Sequence, residues 1–321
     1  MIPVPERAAG ETKGPGASSR SDTSTRTLFS LSAGRSATWE QVSAWYRTNA
    51  RPFPWRAPGT SPWAILLIEF MAQQTQIERA GAAWAVWLER WPRPADLAAT
   101  PPAEAVKAWG RLGYPRRALA LHATATEIAQ RHAGEVPSDV ATLLTLPGVG
   151  PYTAAAVASF AYGVRTPVVD TNVRRVLARA VLGQAEAGPP SRSDLDVMAA
   201  VLPDDPEETR LVNAGAMELG ALICTPRSPR CDACPLASSC AWRAAGYPPY
   251  EGAKRARQPR FEGSDRQARG LVMAELRAAD HPIPREDLAE RVPDAEQLER
   301  SLASLIRDGL AVETRGGYSL P

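Results

Sequence analysis

Two carboxylates, one glycine turn and one cysteine loop hold most of the chemistry legible in these 321 residues. Glu69 lies in the run Ile65-Leu66-Leu67-Ile68-Glu69-Phe70-Met71-Ala72-Gln73-Gln74. At helical spacing its face is shared by Ile65, Leu66, Ala72 and Gln73. A lone carboxyl among such neighbours is expected to keep its proton near neutral pH. It could then protonate a leaving group, a contribution of roughly 10²–10⁴-fold in rate. The competing reading is a solvated carboxylate at the edge of the helix.

Asp170 stands just before the helical stretch TNVRRVLARA, where its ordinary role is an N-cap. The helix dipole and nearby N–H groups are expected to hold it ionised. A fixed negative charge can stabilise or attack the cation that builds on a sugar when its glycosidic bond breaks. Two carboxyls with pKa values pushed apart, one acid and one anion, are the division of labour of a sugar-cleaving site.

Leu146-Pro147-Gly148-Val149-Gly150-Pro151 reads as a tight turn between two helices, with Pro151 opening the second. Gly148 and Gly150 leave backbone N–H groups facing outward, an anion site suited to a DNA phosphate. An ordinary helix–helix turn is the plain alternative. The four cysteines, Cys224, Cys231, Cys234 and Cys240, all fall in one loop with 6-2-5 spacing. That clustering favours a metal centre in a reducing compartment over a disulfide framework. The asymmetric spacing suits a [4Fe–4S] cube better than zinc, which usually takes two tight pairs, but zinc stays open on spacing alone.

The elements that must position these groups are helical. From residue 63 to about 243 the apolar period is that of helices separated by Pro- and Gly-bearing turns, with no alternating strand, so the body is expected to be all-α. Residues 1–36 are rich in Ser, Thr, Gly, Ala and Arg and are expected to be disordered. A first helix then begins with Ser36 or Thr38 as its cap. Residues 246–265 read as a linker. Residues 266–321 read as three short helices and a hairpin around Gly316–Gly317, a small winged-helix-like module.

Bulk composition adds little. The net charge is +2, so any DNA-binding surface must come from local arginines. No apolar run is long enough for a membrane span, and no secretory signal opens the chain, which points to the cytoplasm.

With these residues in view, the chain resembles the MutY adenine glycosylases, relatives of the endonuclease III family, over about residues 38–245. The cysteine loop and the hairpin with its downstream aspartate are common to both families. Glu69 in IEFMAQQTQ matches the adenine enzymes' acid, and Tyr152 takes the position of the lyases' Schiff-base lysine. Tyr114 in WGRLGYPRRA matches a tyrosine that wedges into the duplex. Gln73 and Gln74 match a pair that probes the opened stack, Asn172 an asparagine beside the catalytic aspartate, and Trp55 and Arg56 the family's PWR segment.

The resemblance implies a helix-hairpin-helix DNA glycosylase fold. A six-helix barrel module (63–168) would face an iron–sulfur module (37–62 and 169–245), with the site in the cleft between them. It also implies a [4Fe–4S] cofactor and double-stranded DNA with A mispairs as partner, bound by a monomer. Thr171 replaces the usual Gly of the DGN motif, and Ala72 a Leu that enters the base stack. Residues 266–321 are too short for the Nudix-like domain that reads 8-oxoguanine in longer members. The expected activity is removal of adenine opposite 8-oxoguanine or guanine. The alternatives are a bifunctional glycosylase/AP lyase, a thymine-mismatch glycosylase, and a non-catalytic DNA-binding protein.

Overall fold

The computed structural model describes residues 32–252 and 260–321; residues 1–31 of the expected tail and 253–259 of the expected linker lie outside it. Among the described residues there are fifteen α-helices and one two-stranded hairpin.

The first module is built around α2 (Pro62–Ala72). Ser61 caps it by accepting the Ala64 N–H, and Pro62 sits in its first turn. Its residues are apolar on every side except at Glu69, so the helix has to be surrounded. Helices α3 (Ile77–Arg90), α6 (Arg116–Arg131) and α8 (Pro151–Tyr162) pack around it. Helices α4 (Pro94–Ala98) and α5 (Pro102–Trp109) lie on α6, and the single turn α7 (Val140–Leu143) lies on α8. Burying each large apolar side chain of α2 stabilises the fold by roughly 1.5–3 kcal/mol. Four core tryptophans also satisfy their indole N–H groups: Trp63, Trp84, Trp87 and Trp109 donate to the carbonyls of Trp91, Ala64, Ala108 and Gly113.

The second module is α1 (Ser32–Asn49), α9 (Thr171–Ala180), α10 (Arg192–Val201), α11 (Pro206–Leu222) and the cysteine loop, which ends in α12 (Ala241–Ala244). Helices α1 and α11 lie side by side over a core that includes Trp39, Val42, Val176, Met198 and Leu219. Helix α9 buries three arginines, and each guanidinium is met by acceptors. Arg174 bonds to Asp194 and to three successive carbonyls, and Arg179 to the carbonyls of Ala185, Thr225 and Pro226.

The third part is α13 (Asp265–Ala278), α14 (Arg285–Arg291), α15 (Ala295–Arg307) and strands β1 (Val312–Thr314) and β2 (Gly317–Ser319). The strands pair antiparallel with Glu313 opposite Tyr318, and Ile283 bridges to Tyr318 on the other edge. The arrangement is winged-helix-like. It does not stand apart: Met273, Leu276, Leu305 and Leu310 belong to the same apolar core as Trp109 and Leu112 of the first module. Two ion pairs cross the seam, Lys107–Asp280 at 2.8 Å and Arg116–Asp308 at 3.4 Å.

Three sequence expectations need correction. The first helix runs from Ser32, so residues 32–36 of the expected disordered tail are helical and Ser36 and Thr38 are not its start; Ala33, Arg35 and Ala37 are helix-favouring residue types. Helix α2 stops at Ala72, so Gln73 and Gln74 sit beyond its end in a turn closed by the Thr75 N–H on the Ala72 carbonyl. The terminal turn falls at Arg315–Gly316, because Gly317 is already paired with Thr314.

Candidate active site

An open cleft of about 1300 Å³ separates the first two modules, and Glu69, Tyr152, Asp170, Asn172, Gln73 and Gln74 all line it. The first module supplies Glu69 from α2 and Tyr152 from the first turn of α8; the second supplies Asp170 from the N-cap of α9. The two carboxylates therefore share one cavity.

Their environments differ. Burial pushes the Glu69 carboxyl up to about 7; the Tyr152 hydroxyl as hydrogen-bond partner and the Arg56 charge only partly oppose this, and the nearby Asp170 charge adds to it. At neutral pH Glu69 thus divides between acid and anion. Asp170 caps α9 as expected, accepting the Val173 N–H at 2.7 Å and the Asn172 side-chain amide at 2.9 Å. The expectation was that the surroundings push the two carboxyls' values apart; burial instead raises both. Burial moves Asp170 above the ordinary aspartate value, and the donors from Val173 and Asn172, with the charge of Arg175, limit the rise.

Asn172 links Asp170 to the cysteine loop. Its carbonyl oxygen accepts from Arg175 Nη2 at 2.8 Å, and the same guanidinium reaches the Gly220 carbonyl at 2.6 Å and the Cys224 carbonyl at 2.6 Å. Gly220 allows this: a Cβ there would lie 2.7 Å from the Asn172 Cβ, so only glycine lets α11 approach α9 so closely.

A third carboxylate in the wall went unnoticed in the sequence. Glu218 is fully buried and accepts from Arg51 Nε at 2.8 Å, from the Arg51 backbone N–H at 2.9 Å and from Arg56 Nη2 at 3.0 Å. Burial pushes it up, but these donors together outweigh burial and hold it at about 2. It is an anchor, not an acid. Arg56 lines the cleft with its guanidinium engaged by Glu218 and lying over the Phe53 and Tyr46 rings. Trp55 stacks on Phe53 at 4.7 Å and fills the space beside Gly81, a cleft-wall position. Glu218, Arg51 and Arg175 carried no motif.

Gln73 donates to the Thr153 hydroxyl at 3.2 Å, while Gln74 is exposed with φ at +52°. Tyr114 lies outside the cleft, 53% exposed with φ at +48°. Its loop is bound to the cleft rim, because Arg117 donates to the Phe70 and Gly113 carbonyls and to Thr75. Gly148 and Gly150 also lie outside the cleft, at the start of α8. Gly148 has φ at +74°, and a Cβ there would fall 2.6 Å from Ala120. No acceptor among the described residues takes the N–H groups of Gly148, Gly150 or Tyr152, so the turn offers donors two residues from the cleft.

Cys224, Cys231, Cys234 and Cys240 together line one separate small pocket, with Arg179 and Trp242 beside them. None forms a disulfide, and among the described residues no His, Cys, Asp or Glu group is arranged to hold a single metal ion. Thiols spread around a cavity disfavour zinc and fit a cube of iron and sulfide. Arg179 donates to Cys224 Sγ at 3.4 Å and supplies positive charge beside the thiolates.

Residues 67–193 match the HhH-GPD superfamily of base excision DNA repair proteins, and residues 224–240 match the iron–sulfur binding domain of endonuclease III. The adenine DNA glycosylase of Mycobacterium tuberculosis (strain H37Rv) is 51% identical over 282 residues, covering 87% of this chain and 91% of its own. That of Mycolicibacterium smegmatis is 50% identical over 278 residues, covering 86% and 93%. Among solved structures, that of a thermostable thymine-DNA glycosylase aligns with a TM-score of 0.60 at 27% identity, covering 69% of this chain and 99% of its own.

Proposed function

Because the chain belongs to the adenine DNA glycosylases of the HhH-GPD superfamily, we propose that Glu69 and Asp170 act on one flipped adenosine nucleotide in the inter-module cleft. The protein is a base excision repair enzyme that binds DNA, removes adenine and carries a [4Fe–4S] cluster on Cys224, Cys231, Cys234 and Cys240. Protonated Glu69 gives its proton to a ring nitrogen of adenine as the C1′–N bond breaks and the bond electrons leave with the base. Asp170 faces the cationic sugar. Water adds at C1′, and its proton restores Glu69, leaving free adenine and an abasic site.

Asn172 and the α9 backbone fix Asp170, and Tyr152 sits beside Glu69. A phenol cannot form an imine, so Tyr152 supports glycosylase without lyase chemistry. Gly148 and Gly150 hold a phosphate, Tyr114 wedges into the duplex, and Gln73 and Gln74 meet the opened stack, with Trp55 and Arg56 forming the wall. Cys224, Cys231, Cys234 and Cys240 would hold the cluster, which would supply a rigid cross-link for the loop, and Arg175 ties that loop to Asn172. The cleft is complete within one chain, and the enzyme acts on DNA as a monomer in the cytoplasm in this reading. No helix among the described residues is long and apolar enough to cross a membrane.

The observation that carries this proposal is the shared cleft with its two unlike carboxyls. The test is excision from duplexes carrying A opposite 8-oxoguanine, G or C, followed by alkali. Strand breaks with the first two, none with C and no borohydride-trapped adduct are expected. A trapped adduct would establish lyase chemistry instead, and absence of any alkali-labile site would leave only a DNA-binding protein.

A further inference from the structure

Tyr114 stands in a turn that the chain would not adopt unaided. Gly110, Gly113 and Tyr114 all have positive φ, at +54°, +80° and +48°, and only the glycines do so freely. A tyrosine stays in that left-handed region only where its surroundings impose it. Arg117 is what imposes it. From Nη2 it donates to the Gly113 carbonyl at 3.1 Å, and its backbone N–H donates to the Tyr114 carbonyl at 3.0 Å. The peptide groups on both sides of Tyr114 are thus bound to one residue, which restrains φ and ψ together.

The other half of the guanidinium is anchored in a different element. Nη1 donates to the Phe70 carbonyl at 2.7 Å, with the Met71 carbonyl at 3.4 Å, and both lie in the last turn of α2, where helical carbonyls lack partners of their own. A cation at a helix C-terminus also suits the helix dipole. Nη2 reaches the Thr75 hydroxyl as well, at 3.1 Å. One planar fork therefore spans from the helix that carries Glu69 to the turn that carries Tyr114. All four side-chain acceptors are neutral oxygens, so no ion pair dictates the placement. The placement is costly: among the described residues the buried Nε finds no hydrogen-bond partner, and burial lowers the arginine's pKa.

The guanidinium also lies over the Tyr114 ring, 5.8 Å from its centroid, and over the buried Trp109 ring at 5.1 Å. The C-terminal module reaches the same stretch through Lys107–Asp280 and Arg116–Asp308. Asp280 and Arg116 are largely exposed, however, and exposed pairs hold little.

We propose that Arg117 is the positioning residue for Tyr114: its fork takes the end of α2 as a fixed base and holds the exposed ring ready to enter the duplex beside the opened nucleotide. A wedge must displace stacked bases, and a turn free to fold back would yield before the stack did. The requirement is for geometry, not charge. A lysine keeps the charge but reaches only one end of the span.

This inference rests on the wedge role proposed above for Tyr114, and the experiment tells the two apart. Full-length cluster-loaded protein is assayed on an A:G duplex in a single turnover at saturating enzyme. Binding to the same duplex, with a non-hydrolysable target sugar and 2-aminopurine beside the target, reports unstacking as a rise in fluorescence. Arg117→Lys and Arg117→Gln are each expected to slow adenine release on the order of tenfold and to lose most of the fluorescence rise. Thr75→Val, which leaves the bond to Gly113, should lose about threefold in rate. The rate should keep its inflection near pH 7, because Glu69 is untouched. In a Tyr114→Ala background, Arg117→Lys should cost nothing further.

Arg117→Lys at the wild-type rate would overturn the proposal, since charge alone would then suffice. So would an undiminished loss in the Tyr114→Ala background, a shifted inflection, or slow release with a normal fluorescence rise. In each case the arginine would act on the chemistry and not on the ring. Should the Arg117 variants melt far below wild type, Thr75→Val carries the same comparisons. Tyr114→Ala with wild-type rate and fluorescence would instead overturn the wedge reading, and a wild type that releases no adenine would overturn the glycosylase reading.

Discussion

Glu69 is the one ionisable residue in a helix that is otherwise apolar, and the fold is weakened whenever that residue is charged. Its folded pKa of about 7 lies above the usual 4.5. The penalty is therefore absent below about pH 4.5, grows as pH rises toward 7 and is complete above that. Glu69→Gln should stabilise the protein by at most about 3 kcal/mol at pH 8 and by almost nothing at pH 4.5. Matched thermal melts at the two pH values check this, and an equal effect at both would mean that Glu69 is not held neutral by its surroundings. Glu218 obeys the opposite sign. Its folded value near 2 gives stability above about pH 4.5 that is lost as pH falls toward 2, which suits a fixed strut between Arg51 and Arg56. Glu69, Asp170, Tyr152 and the cysteines were legible because each sits in a local pattern. Glu218 and Arg175 were not, because their meaning depends on partners 167 and 45 residues away.

At the scale of elements, the helical period marked most of the body, and Asp170 marked the start of α9. What escaped were ends and single turns. The five-residue α4 is too short to show a period, and the stop of α2 at Ala72 depends on a turn that Thr75 helps to make. The glycine turn was legible, yet the reason for Gly148 emerges only from packing: α6 brings Ala120 to where a Cβ would stand, and φ is positive as well. Gly148→Ala should therefore cost about 1–3 kcal/mol and also weaken duplex binding, because the turn presents the N–H groups proposed to hold a phosphate. Melting and duplex titration of the same variant check it. A variant that melts as wild type does and binds normally would show that the turn tolerates the side chain.

At the scale of the whole molecule, the chain passes twice between modules to assemble one site. Helix α1 packs on α11, α8 leads from the glycine turn to the cleft, and α9 returns from the cleft to the cysteine loop. The composition of the C-terminal segment foretold helices and a hairpin, but not that their core would merge with that of the first module, since a shared core is a property of docking. The central claim is that an acid from one module and an anion from the other meet at a single nucleotide. Its most direct test is the pH dependence of adenine release in a single turnover at saturating enzyme. The rate should be level just below about pH 7, fall about tenfold per unit above it as Glu69 loses its proton, and fall again at lower pH as Asp170 gains one. A rate that stays flat from about pH 6 to 9 would contradict the assignment of Glu69 as the acid.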